Sequence, residues 1–379
     1  MSQRSRHHYV PRFYLKRFAS DRNEKEPKQI HLFNLASAKI IHHASIKGQC
    51  KKKKFYGEKP DLEDVLGKLE GIFSKVINKI CVTETLPEMG TENHHGILLS
   101  TATQMLRTTK QEEIMNAQAD NFAKMILSRD SRFNALNLES IKIGMKSPVI
   151  QALSQSGTIA GCLDDLGIHL LKSHSDSQFV TSDCPVFSYN LYRERFFSPG
   201  TTAPIARGIM IFYPLSPELC LLLYDTSVYK VGKRKKDFIS SISSDEVKTV
   251  NLLQVIGAEN NLYFSDILLE RRLSNIVGTS SKLRNEIGPR TLEFQDIENP
   301  MRTVVINYYH VPNLHIKLSP ISIKREWQRI PINKRLNLLR REGPNSSITP
   351  ANTPRETTDG KKERVFKVSR DDFRKQAKF

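Results

Sequence analysis

Residues 209–213 and 220–224 are apolar or aromatic at every position, and Pro214-Leu215-Ser216-Pro217 stands between them. Two short runs of this kind around a proline-bracketed turn read as a buried antiparallel hairpin. Such a hairpin has to be covered by other elements, and 379 residues suffice for one large domain or two modest ones. With 39% hydrophobic residues and a net charge of +18, the composition is that of a basic globular protein and excludes an acidic or fully disordered one. No window approaches the roughly 18 consecutive apolar residues of a membrane span, and the first residues lack the apolar stretch of a secretory signal. Five scattered cysteines without a C-x-x-C pair argue against a disulfide framework or a zinc knuckle. The expected setting is therefore a reducing cytosol, with no membrane partner.

Ahead of the hairpin the spacing of apolar residues is helical. Leu62, Val65, Leu66, Leu69, Phe73, Val76, Ile77 and Ile80 fall three or four apart, which predicts an amphipathic helix beginning near Pro60, with Asp61 and Asp64 as an N-terminal capping pair. Further helices are predicted over 91–107 and 112–127, the second turning Ile114, Met115, Phe122, Met125 and Ile126 to a core. Helical character continues over 147–173. At the N-terminus Pro11 interrupts any helix, so 7–18 read as an extended entry followed by a helical turn with Leu15 and Phe18 inward. Residues 29–34 and 39–43 read as a hairpin. Strands are predicted at 178–181 and 261–264, and helices at 245–256 and 267–273.

The expected fold is α+β: an N-terminal β-hairpin on a helical bundle, and a second mixed part containing the buried antiparallel hairpin. The main domain covers 1–320, with a sub-boundary near 175. Residues 321–379 form a basic C-terminal extension in which 342–364, rich in Pro, Ser, Thr, Asn and charge, read as a disordered linker.

Charge is concentrated at the two ends. Residues 1–54 carry 14 Lys and Arg against 3 acidic residues, 55–320 carry 28 against 30, and 321–379 carry 16 against 7. If the basic ends meet, they form a surface suited to a phosphate backbone. The alternative is that Lys51 to Lys54 is a solvated loop and the tail a solubility device.

His7-His8-Tyr9-Val10-Pro11 with Phe13, Leu15 and Phe18, then Thr181-Ser182-Asp183-x-Pro185, then Tyr213-Pro214-Leu215-Ser216, together resemble a widespread, mainly bacterial family known as a domain of unknown function and marked by an N-terminal HHYVP motif. The resemblance covers about 5–270. It implies a cytosolic protein that often stands alone, with no reaction attached. The matching positions are His7, His8, Pro11, Glu63, Glu70, Gln104, Arg107, Ser182, Asp183 and Pro185. Thr109 departs from the pattern, because similar proteins tend to carry proline there. The basic tail lies outside the resemblance and is expected to be removable without touching the matched region.

These polar residues define the candidate site. His7 and His8 are neighbours, so on an extended chain they point to opposite faces; either is a candidate base or ligand, and the plain alternative is a histidine bonded to backbone. Glu63 and Glu70 lie two turns apart on one helix, about 10 Å along its axis, able to line a cleft or simply to be solvated near an N-terminus. Gln104 and Arg107 are helix neighbours continuing an apolar face, either a buried anchor or a cavity wall, with Asp183 the expected carboxylate partner of Arg107. Asp183 follows a strand and suits a metal ligand, a base or a turn cap. Ser182 lacks a G-x-S-x-G elbow, and no phosphate loop, G-x-G-x-x-G or H-E-x-x-H motif is present.

Two functions from different classes fit. The first is a hydrolase, a metal-dependent phosphodiesterase or nuclease. It would use His7, His8, Asp183 and Arg107 in catalysis, Gln104 and Ser182 for substrate, and Glu63, Glu70 and Asp183 for a divalent metal such as magnesium or manganese. The second is a non-catalytic nucleic-acid or protein binding module, in which the same residues form a structural network and the basic ends make contact.

Overall fold

A computed structural model describes residues 6–329 and 339–340, apart from 58–59, 175, 196–199, 234–236 and 296–302. In chain order the first elements are β1 (Arg6–His8), α1 (Arg12–Leu15), β2 (Gln29–Asn34), β3 (Lys39–Ser45), β4 (Lys51–Lys53), α2 (Pro60–Thr83), α3 (Glu92–Leu106) and α4 (Thr109–Leu127). The short helices α5 (Pro148–Leu153) and α6 (Ser156–Leu163) precede β5 (Gly167–Ser173), β6 (Thr181–Ser182), β7 (Phe187–Tyr189), β8 (Met210–Pro214), β9 (Leu219–Tyr224), β10 (Tyr229–Val231) and β11 (Ile239–Ile242). The chain continues through α7 (Ser244–Gly257), β12 (Asn261–Phe264), α8 (Glu270–Glu286), β13 (Gly288–Gln295), β14 (Thr303–His310), β15 (Ile321–Ile323) and α9 (Arg325–Gln328).

The apolar hairpin β8–β9 lies inside a five-stranded sheet of order β11-β5-β9-β8-β7, all antiparallel except β11 beside β5. Both faces of this sheet are covered, which is why its strands are apolar throughout. Ile209, Ile211, Tyr213, Leu221 and Leu223 pack into one core with α1, α2 and α3. Met210, Phe212, Cys220 and Leu222 pack into a second core with Val247, Val250, Leu253 and Ile256 of α7. The period-two alternation of a strand thus divides one apolar run between two cores. The α+β reading is correct.

A second sheet, β3-β2-β12-β6, is antiparallel and joins distant parts of the chain, since β12 pairs with β2 on one edge and β6 on the other. Its apolar face meets α7 and α8 through Phe33, Val180, Leu262, Phe264, Leu273 and Ile276. Tyr14 links the two sheets: its hydroxyl bonds the Thr181 hydroxyl at 2.7 Å and the Pro214 carbonyl at 2.6 Å. The N-terminal reading holds, with Leu15 and Phe18 fully buried.

Several expectations need correction. Residues 167–173 are a central strand, not a helix, because a short apolar run such as Ile168 to Leu171 has no periodicity that separates the two. Gly167 is needed there, since a Cβ would stand 2.7 Å from a ring carbon of Tyr224. Helix α4 starts earlier than predicted, at Thr109, and buries none of its residues; Phe122 and Ile126 are about half exposed. Periodicity identified its apolar face but carries no information on whether anything covers it. Lys51 to Lys53 form a strand rather than a loop. The expected 267–273 helix is a 3-10 turn leading into the longer α8, and the β13–β14 pair was not among the predicted elements. Among the described residues no helix is long and apolar enough to cross a membrane.

The described part of the tail, residues 321–329 and 339–340, packs on the main domain. Strand β15 pairs with β10, and Leu339 bridges to Ala206. Arg340 is buried against the matched region: it holds Asp165 with Nε at 2.8 Å and Nη2 at 2.9 Å, and donates to the carbonyls of Pro204, Ala206 and Cys162. The predicted linker 342–364 and the capping role of Asp61 lie outside the described residues. Replacing Arg340 removes two bonds to Asp165 and three to backbone carbonyls, so Arg340→Ala is expected to destabilise the protein by about 2–3 kcal/mol in urea unfolding. Deleting residues 339–379 should cost at least as much, and a truncated protein as stable as the full chain would contradict this anchoring.

Candidate functional site

The N-terminal motif is organised by a two-stranded ribbon. Strands β1 and β4 pair antiparallel with Arg6 opposite Lys53, His7 opposite Lys52, and His8 opposite Lys51. Residues opposite one another share a face, and alternate pairs share it too. His7 and Lys52 therefore face the helices, where Lys52 Nζ meets Glu112 of α4 at 2.8 Å. The other face carries Arg6, His8, Lys51 and Lys53, four basic residues in a block.

Behind the ribbon His7 is buried and stacked on Tyr56, with ring centroids 5.1 Å apart. Its Nδ1 accepts the Tyr56 backbone N–H at 3.1 Å. A neutral ring in that arrangement carries its proton on Nε2, which lies 4.0 Å from the Glu63 carboxylate. His7 Nε2 then has no lone pair to offer a metal; it is an N–H donor.

Arg107 ends α3, and Thr108, which caps α4 by accepting the Gln111 N–H at 3.0 Å, starts the next helix one residue later. This break turns the guanidinium inward, where it is 3% exposed. Nη2 donates to the His8 carbonyl at 2.7 Å and to Glu70 at 2.6 Å, and Nε donates to the Tyr56 hydroxyl. That hydroxyl itself donates to the His8 carbonyl at 2.9 Å. Burial alone would lower the guanidinium pKa, but Tyr56 and Glu70 outweigh it and the net shift is upward, so the charge is held. Gln104 Nε2 donates to the Tyr9 carbonyl at 3.2 Å, tying the next residue of the motif to the same helix. The expected partner of Arg107 was Asp183; the structure supplies Glu70 instead, because α2 rather than β6 lies beside the end of α3.

His8 differs from the rest. Its pKa is pushed down to about 4, first by burial and then by Arg12 and Lys51, so the ring is neutral at pH 7. Its Nδ1 is buried and has no hydrogen-bond partner.

Asp183 and Ser182 belong to a second cluster at the connection between α7 and β12. The fully buried Asp183 carboxylate accepts the N–H groups of Glu259 at 2.9 Å, Asn260 at 2.7 Å and Asn261 at 3.1 Å. Burial drives its pKa up against those three bonds, with a net upward shift. Ser182 Oγ donates to Gln254 at 2.9 Å and accepts the Cys184 N–H at 3.1 Å. Lys110 of α4 donates to the Gly257 carbonyl at 2.7 Å, and Arg284 of α8 to that of Val255 at 2.8 Å. The connection is thus held by a buried carboxyl group on its amides and by Lys110 and Arg284 on its carbonyls.

The ligand atoms of Glu63, Glu70 and Asp183 do not gather within reach of one ion; among the described residues the group of three that does is His94, His95 and Asp164. His7, His8, Glu63, Glu70 and Arg107 come together, Gln104 supports them through Tyr9, and Asp183 and Ser182 are engaged elsewhere. Three contributors had escaped the sequence reading. Tyr56 had a weak signal, as an aromatic closing the lysine run, but Glu113 and Glu259 had none. Glu259 accepts from the Thr109 hydroxyl. Thr109 is the first residue of α4, a position proline also suits, so the departure from the family pattern keeps the helix start and adds a hydroxyl.

Glu259 has its pKa raised to about 7, first by burial, with Glu113 and Asp183 adding to it against the Thr109 hydroxyl. A carboxyl that is more basic folded than unfolded binds extra protons between about pH 4.5 and 7, so its contribution to stability is lost as pH rises through that window. Glu259→Gln should therefore gain stability relative to the unaltered protein on going from pH 5 to pH 8, by about 1–2 kcal/mol after allowing for partial exposure. Parallel denaturation curves at the two pH values check this, and a pH-independent difference would contradict it.

No curated protein and no solved structure matches this chain. A family model described as a protein of unknown function (DUF4238) matches residues 6–267, which takes in the ribbon, the Arg107 clamp and the Asp183 connection. The chain belongs to that family.

Proposed function

We propose that the protein binds nucleic acid on the outer face of the β1–β4 ribbon, and that the polar residues behind it hold that face in place. The observation that carries this reading is the register: Arg6, His8, Lys51 and Lys53 lie on one face, with Arg12 following. Arg6, Arg12 and Lys53 are exposed, and no carboxylate pairs with them or with Lys51 among the described residues. Lys52, on the opposite face, is already neutralised by Glu112. Unpaired cations on a narrow two-stranded ribbon gain affinity for phosphates by releasing counterions, and such a ribbon fits a nucleic-acid groove.

His8 couples this binding to pH. A phosphate at the ribbon raises the pKa of the imidazole from about 4, so the complex takes up a proton and tightens as pH falls from 7 towards 5. Fluorescence anisotropy with single- and double-stranded oligonucleotides at several salt concentrations tests the proposal. Lys51→Glu with Lys53→Glu should weaken binding at least about tenfold and flatten the salt dependence by roughly 0.7–0.9 for each phosphate left without its cation. His8→Gln should remove the pH dependence. Equal binding by the charge-reversed protein would overturn the reading.

One observation favours a catalytic role as well: a neutral His8 with an unpartnered Nδ1 among Arg12, Lys51 and Arg107 has the elements of a base beside a phosphate. Glu63 lies across the ribbon from it. Incubation with DNA and RNA in magnesium or manganese, alongside His8→Gln, decides this. Cleavage abolished in the variant supports a phosphodiesterase, and no cleavage with either metal leaves the binding function alone.

A further inference from the structure

We propose that His94, His95 and Asp164 form a binding site for a divalent transition ion of the zinc class, separate from the ribbon. His94 and His95 lie in the first turn of α3, and Asp164 directly follows the last residue of α6, a helix that packs along α3. Asp164 Oδ1 is 4.0 Å from His94 Nδ1 and 3.7 Å from His95 Nε2, and the three ligand atoms lie within 4.8 Å of one another. Ligands about 2.0–2.2 Å from a tetrahedral ion stand about 3.3–3.5 Å apart. Asp164 therefore needs to close on each imidazole by about half an ångström, and the two imidazoles on each other by up to about 1.5 Å. Two of its members can supply that movement, because His95 and Asp164 are half exposed or more.

The ring chemistry fits. His94 Nδ1 accepts the Gly90 N–H at 3.3 Å, which keeps the ring proton on Nε2 and leaves the lone pair on the nitrogen nearest Asp164. That bond is at the long end of the range, and an ion replaces it. The α3 N-terminus disfavours a cation, and Glu92 in its first turn offsets this. Two imidazoles and one carboxylate select zinc, cobalt, nickel or copper over magnesium and calcium, which prefer all-oxygen sites. Three protein ligands leave a fourth position to water, and the ion would tie the start of α3 to the end of α6.

A second histidine group, His31, His42 and His43, has rings close together, but His31 Nδ1 accepts the His43 N–H and His43 Nδ1 bonds the Ser20 hydroxyl. It serves as the internal control. The test is isothermal titration of the full chain, without a histidine tag, with zinc chloride, paired with thermal unfolding with and without zinc. One ion per chain is expected, insensitive to millimolar magnesium, with a rise in unfolding temperature. His95→Ala and Asp164→Asn alter exposed side chains and should each weaken zinc binding at least about tenfold and abolish the rise, while His42→Ala should change neither. No stoichiometric zinc binding, or binding abolished in His42→Ala and retained in the other two, overturns the site.

Discussion

A guanidinium taken out of water is tolerated only when its donors are met, and the N-terminal half of this protein is arranged around that requirement at Arg107. Burying such an ion costs several kcal/mol, and one carboxylate, one phenol and one backbone carbonyl offset it. Each partner comes from a different element: Glu70 from α2, Tyr56 from the segment after β4, and the His8 carbonyl from β1. Meeting the needs of one side chain therefore fixes the relative positions of three elements, and with them the register of a ribbon that is too short to hold itself.

The second polar cluster works through an acceptor rather than a donor. Asp183 is a buried carboxyl group whose oxygens collect backbone amides, and the three it holds set the path from α7 into β12, the strand that joins β2 to β6. The two clusters meet at the break between α3 and α4. Arg107 looks to one side, while Thr109 and Lys110, two and three residues later, reach Glu259 and Gly257 on the other. A short polar stretch after an apolar helix thus couples the ribbon to the second sheet. Glu259 in this region titrates near neutrality, which makes the coupling sensitive to pH.

Much of the architecture was legible because it follows from pattern alone. The apolar runs of β8 and β9, the heptad-like spacing of α2 and the Pro11 break each state a burial requirement that has one simple solution. Strand β5 and the partial burial of α4 were not legible, since one depends on which neighbours flank a short apolar run and the other on how fully α5 and β13 cover the helix. The same division runs through the site. His7, His8, Glu63, Glu70, Gln104, Arg107, Ser182 and Asp183 were grouped as one site through the family resemblance, and helix spacing placed Gln104 beside Arg107. Their bonding was hidden, because it is made with backbone carbonyls and with Tyr56, to which no sequence motif points. Asp183 was singled out as a polar residue after a strand, yet its partners lie more than seventy positions away.

The hold on position 8 is made through its carbonyl oxygen, which receives both Tyr56 and Arg107, while its imidazole contributes no bond to the clamp. Every amino acid offers that oxygen. The clamp on position 8 therefore does not depend on the imidazole, which is left to set the chemistry presented at the ribbon. Anchoring and surface chemistry are in this way assigned to different atoms of a single residue.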